Sequence, residues 1–289
     1  MLKKSLFVIL AAGALASCSS KDDPAPTAPK LIFKFKFDAQ QERLDNLGRP
    51  SSIAAGNAGQ SPVFRGMSAH YIELAPLPTT LLEQGTVLYK NAETTAGGAR
   101  AIDFSKSKIA ADGETFFEIP LKDVKPGKYE YLRVSLAYQS YDIKINVAAL
   151  GQEITGTVAS FIGYNTYIGA YKIKDSTVTL NGNRPQGYWS LEVPTKVVSA
   201  QAPAGATTVP NPLAGTSPIP PGSCVVTGPF TGGLSVTGNE TKDLVVTVSL
   251  SVNKSFEWKD TNGNGKFDVL EGETVVDMGI RGLKTIINQ

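Results

Sequence analysis

The 289-residue sequence is poor in the side chains that build disulfide frameworks and metal centres, with two cysteines and one histidine. Two cysteines cannot form the disulfide framework that stabilises many small secreted domains, so a hydrophobic core has to supply the stability. The 28 basic residues barely exceed the 26 acidic ones. Without a basic surplus to bind phosphates, a nucleic-acid-binding role is disfavoured.

Long hydrophobic runs are also scarce. The marked one is Leu6–Leu15, which follows Lys3 and Lys4 and is too short to span a bilayer. A charged start, a short apolar core and small residues at its end are typical of a secretion signal in residues 1–17. Its end, Leu15-Ala16-Ser17-Cys18, resembles the lipobox of bacterial lipoproteins, which implies cleavage before Cys18 and acylation of that residue. An ordinary signal peptide with an incidental cysteine is the alternative.

Cleavage would leave a chain of balanced charge with one free thiol. Removal of Lys3 and Lys4 leaves 26 basic residues against 26 acidic ones. Cys224 would have no partner in the chain if Cys18 carries lipid, and free cysteines usually behave as small buried hydrophobes.

Residues 18–30 are polar and rich in proline, a composition that cannot bury a core, so we expect a flexible tether. Ser19 directly after the cysteine resembles the outer-membrane sorting rule of Gram-negative lipoproteins. Lys21-Asp22-Asp23 is similar to the surface-export signal of Bacteroidota lipoproteins. These resemblances imply a lipid-anchored protein in the outer membrane that faces the exterior. A solvated linker facing the periplasm is the alternative.

Strand patterning begins at Leu31. Between Leu31 and Asp38, three phenylalanines alternate with two lysines, the period of a strand with one buried face. Leu244–Val252 is the longest strand candidate, and the break at Leu150-Gly151-Gln152 predicts a hairpin. Helical patterning is confined to two turns at Gln40–Leu47. Many short strands separated by Gly, Pro and Asn turns predict an all-β, antiparallel sandwich with long loops and little helix.

Residues 200–222 are dominated by Ala, Pro, Gly, Thr and Ser, which predicts a long surface loop or a linker. As a linker it would separate a small second subdomain, residues 223–289. So short a segment makes a thin core, so we favour one β-sandwich domain over residues 31–289.

The layout of Leu31–Asp38, the strand at Tyr71–Leu74 and the turn Pro126-Gly127-Lys128-Tyr129 resembles the first half of MbnP-like β-sandwich proteins. That family includes members associated with copper. His70 is the single imidazole of this chain, and one histidine cannot build a His-rich copper site. Copper binding is therefore not carried over from the resemblance.

The most specific motif lies near the C-terminus and matches the twelve-residue calcium loop D-x-[DN]-x-[DN]-G-x₅-E at every defined position. Ca²⁺ takes six to eight oxygen ligands, and alternate side chains of this loop converge on one point. Gly265 allows the sharp turn, and Lys266 would contribute its backbone carbonyl. The predicted ligands are Asp260, Asn262, Asn264, Lys266, Asp268 and Glu271.

The segments that flank this motif have strand patterns, unlike the helices of an EF-hand, so the loop resembles EF-hand loops in its ligands alone. Asn262 and Asn264 replace carboxylates and lower the charge of the site. Weak extracellular sites with Kd of about 10⁻⁴–10⁻³ M still bind calcium. We expect a structural calcium ion here, with an Asn-Gly-rich hairpin turn as the alternative.

His70 and a cluster of aromatic residues are the other candidates for a functional site. His70 as a general base would need a nucleophile and an orienting carboxylate supplied by the fold, and a structural histidine is the favoured interpretation. An aromatic cluster could form a stacking platform for a sugar or a partner if it is exposed, although such residues more often lie in a core. Its candidate ligand-binding members are Tyr164, Tyr167, Tyr171, Tyr188 and Trp189.

Together these features predict a non-catalytic surface protein that binds a glycan, a peptide or a partner protein and carries structural calcium. A fimbrial-type structural subunit is the first alternative. A surface hydrolase is the second, because a catalytic carboxylate pair has no sequence signature.

Overall fold

The computed structural model describes residues 28–45, 48–81, 83–202 and 224–288. The predicted signal segment 1–17, Cys18, most of the tether and nearly all of the stretch 200–222 lie outside the described residues.

The described residues form strands and a few 3₁₀ helices of three residues each, which confirms the all-β prediction. The strands are β1 Lys30–Asp38, β2 Asn57–Gln60, β3 Val63–Ala75, β4 Thr86–Lys90, β5 Glu93–Thr94, β6 Ala101–Asp103, β7 Thr115–Pro120, β8 Gly127–Val147, β9 Gln152–Phe161, β10 Asn165–Lys172, β11 Thr177–Pro185, β12 Tyr188–Val193, β13 Lys196–Gln201, β14 Cys224–Val236, β15 Leu244–Ser251, β16 Phe256–Lys259, β17 Val275–Met278 and β18 Leu283–Asn288.

Two sheets enclose the main core and give the fold its sandwich-like form. The smaller has the order β18-β15-β1-β7, and the larger has the order β13-β12-β9-β8-β3-β4 with β14 also paired to β8. Apolar side chains from both sheets meet in one cluster, among them Phe35, Val248 and Val134, all 0 % exposed. Burial of these apolar faces is the main term that favours folding.

Strand β1 lies at the centre of the smaller sheet. Leu31, Phe33 and Phe35 are fully buried, and Lys34 and Lys36 are not, as the alternating pattern predicts. Its pairing with β15 is parallel, from Leu31 opposite Leu244 to Asp38 opposite Ser251. β6 and β10 also pair in parallel, so the sheets are not purely antiparallel as the turn-rich sequence suggested.

The longest described strand is β8 with 21 residues, and not Leu244–Val252 as predicted. The sequence shows one apolar run ending at Tyr138 and another beginning at Ile143. Between them the neighbours Gln139 and Ser140, which point to opposite faces of the strand, are both buried. Both faces of β8 are covered there, so polar and apolar residues do not alternate and the pattern conceals the continuity of the strand.

The predicted hairpin after β8 is confirmed, and the predicted helical segment after β1 is not found. The hairpin between β8 and β9 is present, and Gly151 adopts the left-handed conformation that its turn requires, with φ 60°. The helical turns predicted at Gln40–Leu47 are absent from the described residues 40–45. Oδ1 of Asp38 accepts hydrogen bonds from the amides of Gln40 and Gln41, an Asx turn that no helix follows in the described residues.

The C-terminal segment shares sheets with the rest of the described chain. β14 pairs with β8, β15 pairs with β1, and β16 pairs with β2. Over the described ranges no helix has the length and apolarity needed to cross a membrane.

Candidate calcium loop and its surroundings

The twelve-residue motif forms the loop between β16 and β17. Its first, third and fifth side chains each accept hydrogen bonds from the loop backbone. Oδ1 and Oδ2 of Asp260 accept from the amides of Gly263 and Gly265, at 3.0 and 3.1 Å. Oδ1 of Asn262 accepts from the amide of Asn264 at 3.0 Å. These bonds turn the backbone around its own side chains.

The side chains of Asn262 and Asn264 meet the carboxylates of Asp268 and Glu271. Nδ2 of Asn262 lies 3.1 Å from Oδ2 of Asp268 and 3.1 Å from Oε2 of Glu271. Nδ2 of Asn264 lies 2.8 Å from the same oxygen of Asp268. Hydrogen bonds from the two asparagine amides hold the pKa of Asp268 below its ordinary value. Two carboxylates thus meet two N–H donors at the position where the motif predicts a cation.

Two residues outside the motif brace this loop. Glu273 is 4 % exposed, and its carboxylate accepts from the amides of Thr261 at 3.0 Å and Asp268 at 2.8 Å. Asn146 on β8 donates its backbone N–H to the carbonyl of Phe267 at 2.8 Å. Its side chain donates to Oδ1 of Asp268 at 2.5 Å. The loop is therefore tied to the larger sheet.

Sequence reasoning did not identify these two bracing residues. Glu273 is an acidic residue two positions after the motif, and that spacing is the signal that could have found it. Asn146 is 122 positions from Asp268, and no local pattern marks it.

Phe267, which lies within the loop, anchors it to a hydrophobic cluster. Phe267 is 5 % exposed, and its ring lies 5.2 Å from that of Phe256 and 5.6 Å from that of Trp258. These rings belong to a second core cluster that includes Tyr141 and Ile143 of β8. Contacts between aromatic rings stabilise a fold by more than the area they bury. Phe267 therefore fixes the loop to the core in addition to the hydrogen bonds of Asn146 and Glu273.

Within the described ranges, no group of three or more His, Cys, Asp or Glu side chains is arranged to hold a metal ion. Loops of this kind complete their shell with asparagine and backbone carbonyl oxygens. Asp260, Asp268 and Glu271 with the two asparagines and the Lys266 carbonyl match that mixed donor set. Gly265, with φ 71°, provides the turn at position six.

His70 lies on β3 and is 1 % exposed. Its Nε2 lies 3.0 Å from Oε1 of Glu93, which also accepts from the Tyr164 hydroxyl at 3.1 Å. Arg100 donates to both oxygens of Glu93, at 2.7 and 3.0 Å. Burial lowers the pKa of His70 in spite of Glu93. Burial opposes ionisation of Glu93, but Arg100 and His70 keep its pKa below the ordinary value.

The stability of the protein should therefore fall as the pH drops below about 6.5, the ordinary pKa of histidine. Below that value the unfolded chain binds a proton at His70 that the folded protein does not, until the pH reaches the lower folded pKa. We expect His70→Gln to remove this part of the pH dependence. Urea unfolding of both proteins from neutral to mildly acidic pH measures it, and equal slopes would contradict the prediction.

The five aromatic candidates do not form one exposed platform. Tyr171 and Tyr188 are 3 % and 6 % exposed and pack around Phe161. Tyr164 is bound to Glu93. Tyr167 and Trp189 are half-buried on β10 and β12, and Trp189 points to the opposite face of β12 from its neighbour Tyr188 because side chains alternate along a strand.

The described cysteine, Cys224, is buried, and burial raises the pKa of its thiol to about 12. The thiol is therefore a weak nucleophile at neutral pH.

Comparison with known proteins gives one partial similarity. No protein-family model matches the chain, and no solved structure matches it. The chain is similar to the oligopeptide-binding protein AmiA of Streptococcus pneumoniae serotype 4, with 25% identity over 188 residues. The matched region covers 64% of this chain and 26% of AmiA. The similarity is compatible with a non-catalytic binding role.

Proposed function

We propose that this chain is a lipid-anchored protein of the outer membrane that faces the exterior and binds peptides without catalysis. The similarity to an oligopeptide-binding protein is the observation that carries the peptide-binding role. The same similarity favours a peptide over the glycan that the sequence also left open.

The anchor in this proposal is Cys18. At about 0.8 kcal/mol per buried CH₂, one acyl chain gives marginal membrane binding, and two or more chains anchor stably. β1 begins at Lys30, so residues 18–29 would connect the lipid to the first strand. The sorting signals at Ser19 and Lys21–Asp23 support the outer membrane and its external face.

The proposal also includes a structural calcium ion held by Asp260, Asn262, Asn264, the Lys266 carbonyl, Asp268 and Glu271. A bound cation would balance the carboxylates that converge in this loop. Because Asn146 connects Asp268 to β8, the ion would fasten the loop to the larger sheet. MbnP-like proteins remain the family that the N-terminal layout suggests.

The experiment uses the intact lipoprotein purified from membranes and immobilised through its lipid. A mixed pool of oligopeptides and a mixed pool of oligosaccharides are passed over it, and the retained molecules are identified by mass spectrometry. We expect retention of peptides. Retention of sugars alone, or of neither pool, would contradict the peptide role, and ladders on mildly denaturing gels would favour the fimbrial-type alternative.

The location is tested separately in cells. A protease added outside intact cells is expected to digest the protein, and Cys18→Ala is expected to release it from the membrane fraction. Cys224→Ala is the matched control and should leave the protein in the membrane. Protection from the protease until the outer membrane is broken would place the protein on the periplasmic side.

A further inference from the structure

Three side chains with complementary chemistry meet where β16 pairs with β2. Nζ of Lys259 lies 3.3 Å from Oδ1 of Asn57. Nδ2 of the same carboxamide lies 2.8 Å from Oε1 of Glu257. The Lys259 amine thus contacts the oxygen of the Asn57 carboxamide, and the Glu257 carboxylate contacts its nitrogen.

The backbone fixes this arrangement. Lys259 lies directly opposite Asn57 in the antiparallel register of β16 and β2. Glu257 is two residues before Lys259, so its side chain lies on the same face of the sheet. A Cβ placed at Gly56 would lie 3.5 Å from Nζ of Lys259, so the amine rests over the turn that precedes Asn57.

The second carboxylate oxygen of Glu257 is bound by Arg43. The residue is 5 % exposed, and its Oε2 lies 2.8 Å from Nη2 of Arg43. Arg43 also donates to the backbone carbonyl of Asn253 at 3.2 Å. The charge-assisted hydrogen bond from Arg43 to Oε2 orients the Glu257 carboxylate and leaves its Oε1 directed at the carboxamide of Asn57.

We propose that Lys259 and Asn57 form an intramolecular isopeptide bond, with Glu257 as the proton relay and Arg43 as its positioning residue. A lysine amine is a nucleophile once it loses its proton, and a carboxamide held beside it reacts within one molecule at a high effective concentration. The bond forms once per molecule, so a slow reaction is sufficient.

The step is balanced without any other reactant. Nζ of Lys259 adds to Cγ of Asn57, and the Cγ–Nδ2 bond then breaks. Both nitrogens are bonded to the same carbon in the tetrahedral intermediate, so Oε1 of Glu257 is within reach of both. The Lys259 ammonium first loses one proton to solvent, which makes Nζ a nucleophile; after the addition the carboxylate takes a second proton from Nζ and passes it to Nδ2, and the ammonia that leaves takes up a proton from solvent. The lysine ammonium and the carboxamide become a secondary amide and an ammonium ion.

The resulting cross-link would join positions 202 residues apart. Cross-links that close long loops restrict the unfolded chain and stabilise the folded one. This one would fix the short strand β2 to β16, immediately before Asp260 of the candidate calcium loop. It is independent of the proposed peptide binding.

The test is the intact mass of the purified full-length protein, compared with Lys259→Arg prepared identically. We expect the unsubstituted protein to be lighter than its sequence requires by one ammonia, and the variant to have its full mass. Digestion should yield one branched peptide that contains both Asn57 and Lys259. Incubation at about pH 9 should complete the reaction in any unreacted fraction, because deprotonated amine becomes more abundant.

Further variants separate this bond from other losses of ammonia, such as cyclisation at Asn-Gly sequences. Lys196→Arg, on β13, should keep the mass loss, and Asn57→Ala should remove it. Glu257→Gln should slow it at alkaline pH, provided that the variant gives the far-UV circular dichroism of the unsubstituted protein. Full mass after alkaline incubation, or a mass loss that persists in Lys259→Arg, would overturn the proposal.

Discussion

Replacing Arg133 by methionine is expected to lower the free energy of unfolding by about 3–5 kcal/mol, because it leaves a buried carboxylate without its counter-charge. Nη1 of Arg133 lies 3.5 Å from Oε2 of Glu73, and the two side chains are 1 % and 0 % exposed. The two residues are opposite each other on β8 and β3. Urea unfolding of Arg133→Met measures the loss.

The surroundings of this pair explain why the effect should be large. Arg133 donates one hydrogen bond to the Pro78 carbonyl, and Glu73 accepts one from the Gly85 amide. Nε and Nη1 of Arg133 and Oε2 of Glu73 have no hydrogen-bond partner in the part of the chain that the structure describes. Burial lowers the pKa of Arg133 and raises that of Glu73. The charge of Arg133 is therefore stabilised mainly by Glu73, and that of Glu73 by the Gly85 amide and by Arg133.

The matched control removes both charges. Glu73→Gln keeps an acceptor for Gly85, and combined with Arg133→Met it leaves no buried charge. We expect the double variant to be more stable than Arg133→Met alone, since paired buried ions contribute little net stability over neutral groups. A double variant whose loss equals the sum of the single losses would contradict this account.

Calcium at about 10 mM, about 100 times a Kd of about 10⁻⁴ M, is expected to raise the melting temperature by roughly 5–10 °C relative to chelator. Ligand at about 100 times its Kd stabilises the folded state by about 2.7 kcal/mol, and one kcal/mol shifts the melting temperature of a protein of this size by about 2–4 °C. Asp260→Ala should abolish the response, because Asp260 is the first ligand of the proposed site and also organises the turn through Gly263 and Gly265.

Two comparisons make the calcium test specific. Asp175→Ala removes an exposed carboxylate from the β10–β11 turn, far from the loop in sequence, and should keep the full response to calcium. Glu273→Gln should weaken the response without abolishing it, because Glu273 braces the loop from outside the ligand set. Identical melting curves with calcium and with chelator would refute the calcium proposal.

Local patterns predicted the features that depend on local chemistry. The alternation in β1 follows from one buried face, and the β8–β9 hairpin follows from a glycine at positive φ. The calcium motif predicted the loop side chains that converge on Asp268 because their spacing is set by the loop itself. Metal binding by that loop stays a prediction.

Features that depend on distant partners were not predictable from one sequence. The continuity of β8 is concealed because adjacent residues on its two faces, Gln139 and Ser140, are both buried. The sequence of β1 marks one buried face, but it does not indicate that the strand pairs with β15 or that the two run parallel. Asn146 acquires its role from Asp268, and the buried charges of Glu73 and Arg133 come together only in the assembled sheet.

The parallel pairing of β1 and β15 also has a consequence for the order in which the chain can fold. The N-terminal strand is flanked by β7 and β15, and Lys30 is hydrogen-bonded to Asp243, 213 positions away. Folds dominated by such distant contacts form slowly. While the chain is being made, β1 cannot be enclosed until the last quarter of the protein is available. The smaller sheet can therefore close around β1 only late in synthesis.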